Sequence, residues 1–236
     1  MNNVVPAISI QGLALAFLPV AVVIGIMLRW ESMAKTSLYA MARMLGQLLL
    51  IGYVLIYIFE TDDWWVIALV LAVMLTAAAW IAIRPLGRRT VPAYCQALGA
   101  IAIGGVLTLG LVTQFVISVE PWFSPRFVVP LAGMTFAGAM NAVSLAADRF
   151  RAEISSGADY LEARRRSFRT ALIPIVNSLF AVGLVALPGM MTGQILAGVS
   201  PLIAAKYQIV VMTMLFGATG LSAACYLWLQ RGEKVL

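Results

Sequence analysis

Long runs of apolar residues alternate with short polar segments along most of the chain. Each run approaches roughly 20 residues, the length at which an α-helix crosses the hydrocarbon core of a bilayer. About seven such runs occur, at residues 8–28, 41–59, 64–83, 91–119, 127–147, 171 to about 188, and 207–229. The pattern predicts an all-α, polytopic integral membrane protein, with residues 1–236 forming one transmembrane helix bundle.

Composition supports a membrane protein over a soluble one. The chain is 62% hydrophobic and only 11% charged, which is too little polar surface to cover a soluble globule. The first run follows Met1, Asn2 and Asn3, without the basic start or small-residue cleavage site of a secretory signal. We therefore expect it to remain as a helix.

Charged residues between the runs are distributed unequally. Basic residues follow the first, third and fifth runs, whereas the loops after the second and fourth runs carry acidic residues beside tryptophans. Because basic loops stay in the cytoplasm, we expect the amino terminus outside and the carboxyl terminus, with Arg231 and Lys234, in the cytoplasm. The net charge of +6 is then explained by topology and contact with anionic membrane lipid, and predicts no nucleic-acid partner. The basic residues after the third run are Arg84, Arg88 and Arg89.

Several kinds of catalytic site are excluded by the residues present. The chain has no histidine, the commonest neutral-pH general base and metal ligand. No phosphate-binding loop, nucleophile elbow or zinc-binding helix motif occurs. Cys95 and Cys225 both fall inside predicted spans, where we interpret them as small apolar residues. We expect a protein that is not an enzyme and holds no cofactor, so that its energy comes from an ion gradient or another chain.

One charged segment, residues 148–170, differs from the other loops. The fifth span is expected to continue as a helix through Arg151 and Glu153, and to turn at residues 155–157 before Asp159 caps a second helix. Glu162 precedes Arg166 by four residues, the favourable order for an ion pair. The segment is either a solvated loop or a docking element for a soluble partner. Its candidate coupling residues are Glu153, Ser156, Gly157, Asp159, Glu162, Arg165 and Arg166.

A second segment, residues 186–205, is expected to break the sixth span. Residues 170–205 carry no charge and are too long for one helical crossing. Pro188 lacks an amide donor and Gly189 relaxes the backbone, so we place the break there. Gly189 and Gly193 have the spacing that allows close helix approach, and Thr192 and Gln194 can satisfy freed backbone groups. The segment is either an external hairpin or a bent element that gates a translocation path.

Polar residues inside the spans are functional candidates, since such groups are expensive in a bilayer. Each has a simpler explanation, because Arg and Lys snorkel to the interface and Asn and Gln bond across helices. No carboxylate lies deep in a span, so the metal-ligand set stays open. The candidate path or gate residues are Arg43, Gln47, Asn141, Asn177, Pro188, Gly189, Met190, Met191, Gly193, Gln194, Lys206 and Gln208.

Several motifs resemble the FetB-like family of ABC-transporter permeases, which includes bacterial iron exporters and plant aluminium-tolerance half-transporters. The most specific is "VGLVALPGMMTGQILAG" at residues 182–198, followed by "SPLIAAKYQIVVM" at 200–212. Shorter matches are "LAGM" at 131–134, "AM" at 139–140 and "ALIP" at 171–174. "RMLGQLLLIGYVLIYIF" at 43–59 extends the resemblance upstream.

The resemblance implies the membrane half of an ABC exporter in the bacterial inner membrane. Such a permease forms a homodimer served by a separate cytoplasmic ATPase, which binds ATP and Mg. The implied cargo is a metal, with iron expected, and the implied role is metal homeostasis and protection from oxidative stress. The residues alone leave two alternatives, a gradient-driven secondary transporter and a structural membrane protein. An intramembrane acidic relay or repeated halves would favour the transporter, and neither is evident.

Overall fold

The computed structural model describes residues 8–30, 33–87 and 90–231. Arg88, Arg89 and Lys234, which contribute to the predicted orientation, lie outside the described residues. The chain divides into two compact units, Met1–Glu60 and Thr61–Leu236. Within the described ranges the chain is almost entirely helical and forms no β-strand, which confirms the predicted all-α class.

The first unit contains three helices: α1 (Ile10–Leu15), α2 (Leu18–Arg29) and α3 (Ala34–Glu60). Ser9 caps α1 by accepting a hydrogen bond from the Gly12 amide at 3.0 Å. The first expected span is therefore divided, because α1 ends just before Pro19, which occupies the first turn of α2. α2 packs against α3, and an apolar groove lies between them.

The second unit contains the other seven helices of the described chain. They are α4 (Trp64–Ala82), α5 (Val91–Ile101), α6 (Leu107–Leu111), α7 (Pro125–Ser155), α8 (Tyr160–Ala181), α9 (Gly189–Leu196) and α10 (Pro201–Leu229). A 3₁₀ turn, Arg84–Leu86, follows α4. Two π-helical segments, Ala102–Val106 and Val112–Val116, flank α6 and continue the span that begins with α5.

The core of this unit lies around α7, which packs against α4, α8 and α10. Many of its fully buried residues are alanines, including Ala79 on α4, Ala100 on α5 and Ala139 on α7. Short side chains let helices approach closely, which supplies packing where apolar burial from water does not drive association. The closest approach joins the first π segment to α10: a Cβ added at Gly104 would fall 2.6 Å from the Ser222 amide nitrogen.

Six helical stretches of the described chain are long and apolar enough to cross a membrane. They are Ile10–Arg29, Ala34–Glu60, Trp64–Leu86, Val91–Val116, Pro125–Ser155 and Pro201–Leu229. The expected span at residues 171–188 is absent from this set, because α8 joins it to the charged residues that begin at Tyr160. Six of the expected spans are therefore matched, while the orientation of the termini stays a prediction.

The break after α8 differs in position from the sequence prediction. α8 ends at Ala181, whereas Pro188 caps the start of α9 and does not end the preceding helix. Between them, Gly183 has a φ of 81° and its amide donates to the Ala186 carbonyl at 3.0 Å. The Val185 and Ala186 amides both donate to the Ala181 carbonyl, at 2.8 and 3.1 Å. The turn thereby satisfies part of its own backbone, as chain breaks in a membrane require.

Candidate functional site

Two features of the second unit are candidates for function: the turn between α7 and α8, and a cavity farther along the same helices. The turn has the predicted helix–turn–helix structure. Gly157 has a φ of 88°, a left-handed conformation that favours glycine. Asp159 caps α8 by accepting a hydrogen bond from the Glu162 amide at 2.7 Å. The predicted continuation of α7 through Glu153 and the cap at Asp159 are both confirmed.

A charge cluster holds the two helices together across this turn. Glu153 is only 4% exposed, and it forms salt bridges with Arg149 on its own helix and Arg166 on α8. The Arg166 Nη1 lies 2.8 Å from the Glu153 Oε2, and a second Arg166 nitrogen pairs with Glu162, as predicted. Because a buried carboxylate is costly without partners, these arginines fix the end of α7 against α8. We call Arg149, Glu153, Glu162 and Arg166 the elbow cluster.

The electrostatics of the elbow cluster favour the charged form of Arg166. The hydrogen bond to Glu153, with the nearby charges of Glu153 and Glu162, raises the pKa of the Arg166 guanidinium above its usual value. Sequence reasoning missed Arg149, although it precedes Glu153 by four residues, the same spacing that identified the Glu162–Arg166 pair. It also missed Tyr160, whose hydroxyl donates to the Leu227 carbonyl at 3.0 Å and fastens α8 to α10.

Four predicted coupling residues lie outside the elbow cluster, and two of them, Gly157 and Asp159, form the turn and the cap of α8. The Ser156 hydroxyl donates to the Ala152 carbonyl at 2.8 Å, so it closes the end of its own helix. Arg165 is exposed and lines a groove between α8 and α10. The structure therefore brings Glu153, Glu162 and Arg166 together and assigns Arg165 to a different surface.

A cavity of about 160 Å³ lies between α7, α8 and α10. Its polar lining comes from all three helices: Asn141 from α7, Ser178 from α8 and Thr219 from α10. Met134 contributes a thioether, and Pro174 stands in the α8 wall. The Ser178 hydroxyl donates to the Pro174 carbonyl at 2.9 Å. The cavity thus presents neutral oxygen and sulfur groups and no carboxylate. Of the two predicted path asparagines, Asn141 lines this cavity, whereas Asn177 is exposed and does not.

The predicted gate residues on α9 are held by local contacts. The Thr192 hydroxyl donates to the Pro188 carbonyl at 3.1 Å, and Met190 packs against the core of the unit. The Gln194 Oε1 has no hydrogen-bond partner among the described residues, and neither does the Oε1 of the buried Gln208 on α10. A Cβ at Gly189 or Gly193 would meet no described atom within 4 Å, so these glycines are not points of close approach within the described chain.

The remaining predicted residues are dispersed. Arg43 and Gln47 lie one turn apart on α3 of the first unit, and both are exposed. Lys206 is exposed near the start of α10, and Met191 is half-buried on α9. No group of three or more Cys, Asp or Glu residues is arranged to hold a metal among the described residues.

Comparison with known proteins extends these observations. The chain matches the family described as "Uncharacterised protein family (UPF0014)" over residues 10–233. It is 37% identical to the probable iron export permease protein FetB of Escherichia coli, over 93% of this chain and 90% of that protein. It is 35% identical to the membrane protein slr1647 of Synechocystis, over 83% of this chain and 82% of the relative. No solved structure matches the chain significantly.

A plant protein is also similar. The protein ALUMINUM SENSITIVE 3 of Arabidopsis thaliana is 31% identical over 86% of this chain and 80% of its own length. Together with six helices of membrane-crossing length in the described residues, these relatives support a role as a membrane permease. The chain is a membrane protein that belongs to the UPF0014 family.

Proposed function

We propose that this protein is the permease subunit of an ABC exporter and moves a metal, with iron as the expected cargo, out of the cytoplasm. ATP and Mg would bind a separate ATPase subunit. The observation that carries the proposal is the elbow cluster, a rigid charged turn at the common end of two packed helices. The named similarity to an iron export permease supports the same conclusion.

The elbow cluster and the cavity share one mechanical element, α8. Arg166 near its start belongs to the elbow cluster, and Ser178 near its end lines the cavity. Twelve residues separate them, which is about 18 Å along a helix. A partner that tilts the elbow therefore moves the α8 wall of the cavity relative to Asn141 on α7. This lever would couple ATP binding on the partner to opening of the path.

The cavity lining constrains the cargo. Amide and hydroxyl oxygens from Asn141, Ser178 and Thr219 are hard donors that tolerate a cation or a hydrated complex. These groups carry no charge, so they do not neutralise the charge of a bare multivalent ion. The proposed cargo is accordingly iron that keeps other ligands during transport, and the Met134 thioether is not required as an iron ligand.

A second copy of the chain completes the proposed transporter. The turn between α8 and α9 exposes the side chains of Leu184 and Val185 by 88% and 81%. Gly193 on α9 is also open, and its spacing from Gly189 permits close approach of another helix. We place the gate at this segment, against its counterpart in the second copy, in the bacterial inner membrane.

The decisive experiment is purification of the tagged protein from native membranes in a mild detergent. We expect a P-loop ATPase to co-purify, and its activity to depend on the permease. Gly157→Pro should abolish stimulation at normal membrane insertion, since proline cannot adopt the left-handed conformation of Gly157. Arg169→Gln, on α8 and outside the elbow cluster, is the control. Absence of an ATPase would overturn the proposal and favour a gradient-driven transporter.

The cargo needs a separate measurement. Cells lacking the protein should accumulate iron and become more sensitive to peroxide under iron load. Unchanged iron with a changed level of another metal would leave the ATPase coupling intact and reject iron as cargo.

A further inference from the structure

An apolar groove of about 810 Å³ runs between α8, α10 and the first π segment. Six apolar side chains line it: Ile103, Leu161, Phe168, Leu221, Leu227 and Trp228. Leu161 and Trp228 at one end of the groove are 62% and 61% exposed, and Ile103 and Leu221 farther along it are 50% and 53% exposed, so the groove is open along its length. In a membrane protein, a groove of this chemistry is suited to an acyl chain.

Two arginines that pair with no carboxylate of the described residues lie in the same groove. Arg164 and Arg165 both line it. The nearby carboxylates of Glu153 and Glu162 are already paired, with Arg149 and Arg166. Neither Arg164 nor Arg165 forms a salt bridge with any described residue. Two adjacent positive charges therefore have no carboxylate partner among the described residues and can accept an anionic group.

Local contacts hold this end of the groove in place. The hydrogen bond from the Tyr160 hydroxyl to the Leu227 carbonyl fixes the start of α8 beside the end of α10. The Arg164 guanidinium carbon lies 5.5 Å from the centre of the Tyr160 ring, a cation–π contact that orients the arginine. Trp228, a residue type enriched at membrane interfaces, lies near the same end of α10. Positive charge and an interfacial aromatic residue thus mark one end of an otherwise apolar groove.

We propose that this groove binds an anionic phospholipid, with an acyl chain along its apolar wall and the phosphate at Arg164 and Arg165. A soluble anion would use the arginines but leave the apolar wall uncovered. A zwitterionic lipid would cover the wall but leave the two charges uncompensated. Basic pockets between membrane helices are suited to anionic head groups. The proposal requires only that the chain is a membrane protein, and is independent of the ATPase and the cargo.

The test compares lipids on the purified full-length protein in detergent. Native mass spectrometry measures retained lipid after exchange into micelles containing phosphatidylglycerol or phosphatidylcholine, and thermal unfolding measures stabilisation. We expect preferential retention of phosphatidylglycerol and a higher unfolding temperature with it. Each arginine should contribute about fivefold to retention, so Arg164→Gln with Arg165→Gln should weaken it about 25-fold. Arg169→Gln, an exposed arginine of α8 outside the groove, should leave retention unchanged.

A second variant separates the groove from the charges. Ala224 lines the groove, so Ala224→Phe should reduce retention by filling it while the arginines remain. Equal retention of the two lipids, or equal loss in Arg169→Gln, would overturn the proposal. Stabilisation by inorganic phosphate equal to that by phosphatidylglycerol would also overturn it, by showing an anion site without a lipid. These comparisons on the wild type and the control stand even where the double variant fails to fold.

Discussion

Replacing Gly104 with alanine tests the closest helix approach in the second unit. A Cβ at this position would fall 2.2 Å from the Ser222 Oγ, 2.6 Å from the Ser222 amide nitrogen and 2.9 Å from the Ala218 carbonyl oxygen. The Ser222 hydroxyl can rotate away, but the two backbone atoms cannot. Restoring an ordinary contact with the amide nitrogen requires the π segment and α10 to separate by about 0.8 Å.

Two opposing effects determine how much Gly104→Ala changes the free energy of unfolding. Alanine is favoured over glycine inside a helix by about 1 kcal/mol. Overpacking a tight contact costs about 1–3 kcal/mol. Gly110→Ala, on α6 of the same span, gains the first effect without the second, because no described atom lies within 4 Å of its Cβ position. The difference in unfolding free energy between the two variants therefore isolates the packing cost. We expect Gly104→Ala to be less stable than Gly110→Ala by about 1–3 kcal/mol.

Unfolding of the purified variants in mixed micelles measures this difference. Gly104→Ala combined with Ser222→Ala should recover only part of the loss, since the amide nitrogen contact remains. Equal stability of Gly104→Ala and Gly110→Ala would refute the proposed close approach. Complete recovery in the double variant would instead show that the Ser222 side chain, and not the backbone, limits the spacing.

Three further predictions concern transport, each measured at matched expression. Glu153→Gln should abolish ATPase stimulation, because it leaves Arg149 and Arg166 without their shared carboxylate. Glu162→Gln loses only one exposed ion pair and should have a small effect. Equal effects of the two variants would contradict the role of the elbow cluster. Asn141→Leu should lower transport by removing a polar group from the cavity, and Asn177→Leu, outside it, should not; loss in both would point to general destabilisation. A Cβ at Gly193 meets no described atom within 4 Å, so loss of transport in Gly193→Leu with normal folding would indicate a contact with a second copy, whereas a damaging Met191→Leu would indicate that sulfur contacts the cargo.

The turn between α7 and α8 was predictable because short-range chemistry determines it. Gly157 supplies the left-handed residue and Asp159 supplies the cap, and each acts on neighbours within four residues. The Glu162–Arg166 pair follows from the same spacing rule. What this rule could not give is the pairing of Glu153 with Arg166, thirteen residues apart, which depends on how α8 folds back on α7.

The π segments and the position of the break depend on contacts that no short window contains. A Cβ at Gly104 would clash with α10, and one at Gly105 would crowd the Phe136 ring on α7. The need for glycine at these positions therefore depends on helices that are distant in sequence. At the break, the sequence pattern predicts that Pro188 ends a helix, although proline is equally compatible with a helix start. α8 ends at Ala181, where Val182 becomes extended, and Gly183 then turns the chain with its positive φ, which an isolated glycine in an apolar run does not predict.

The charged start and the apolar end of α8 belong to one helix, and this continuity explains why residues 160–181 lack the composition of an ordinary span. Four arginines at positions 164, 165, 166 and 169 lower its mean hydropathy, and they contribute to different surfaces of the helix. Arg166 joins the elbow cluster, while Arg164 and Arg165 face the groove beside α10. Salt bridges hold the charged end of α8 against α7, and the apolar end of the same helix carries Ser178 to the cavity. The unusual composition of α8 is therefore what allows one helix to join the elbow cluster at one end and to line the cavity at the other.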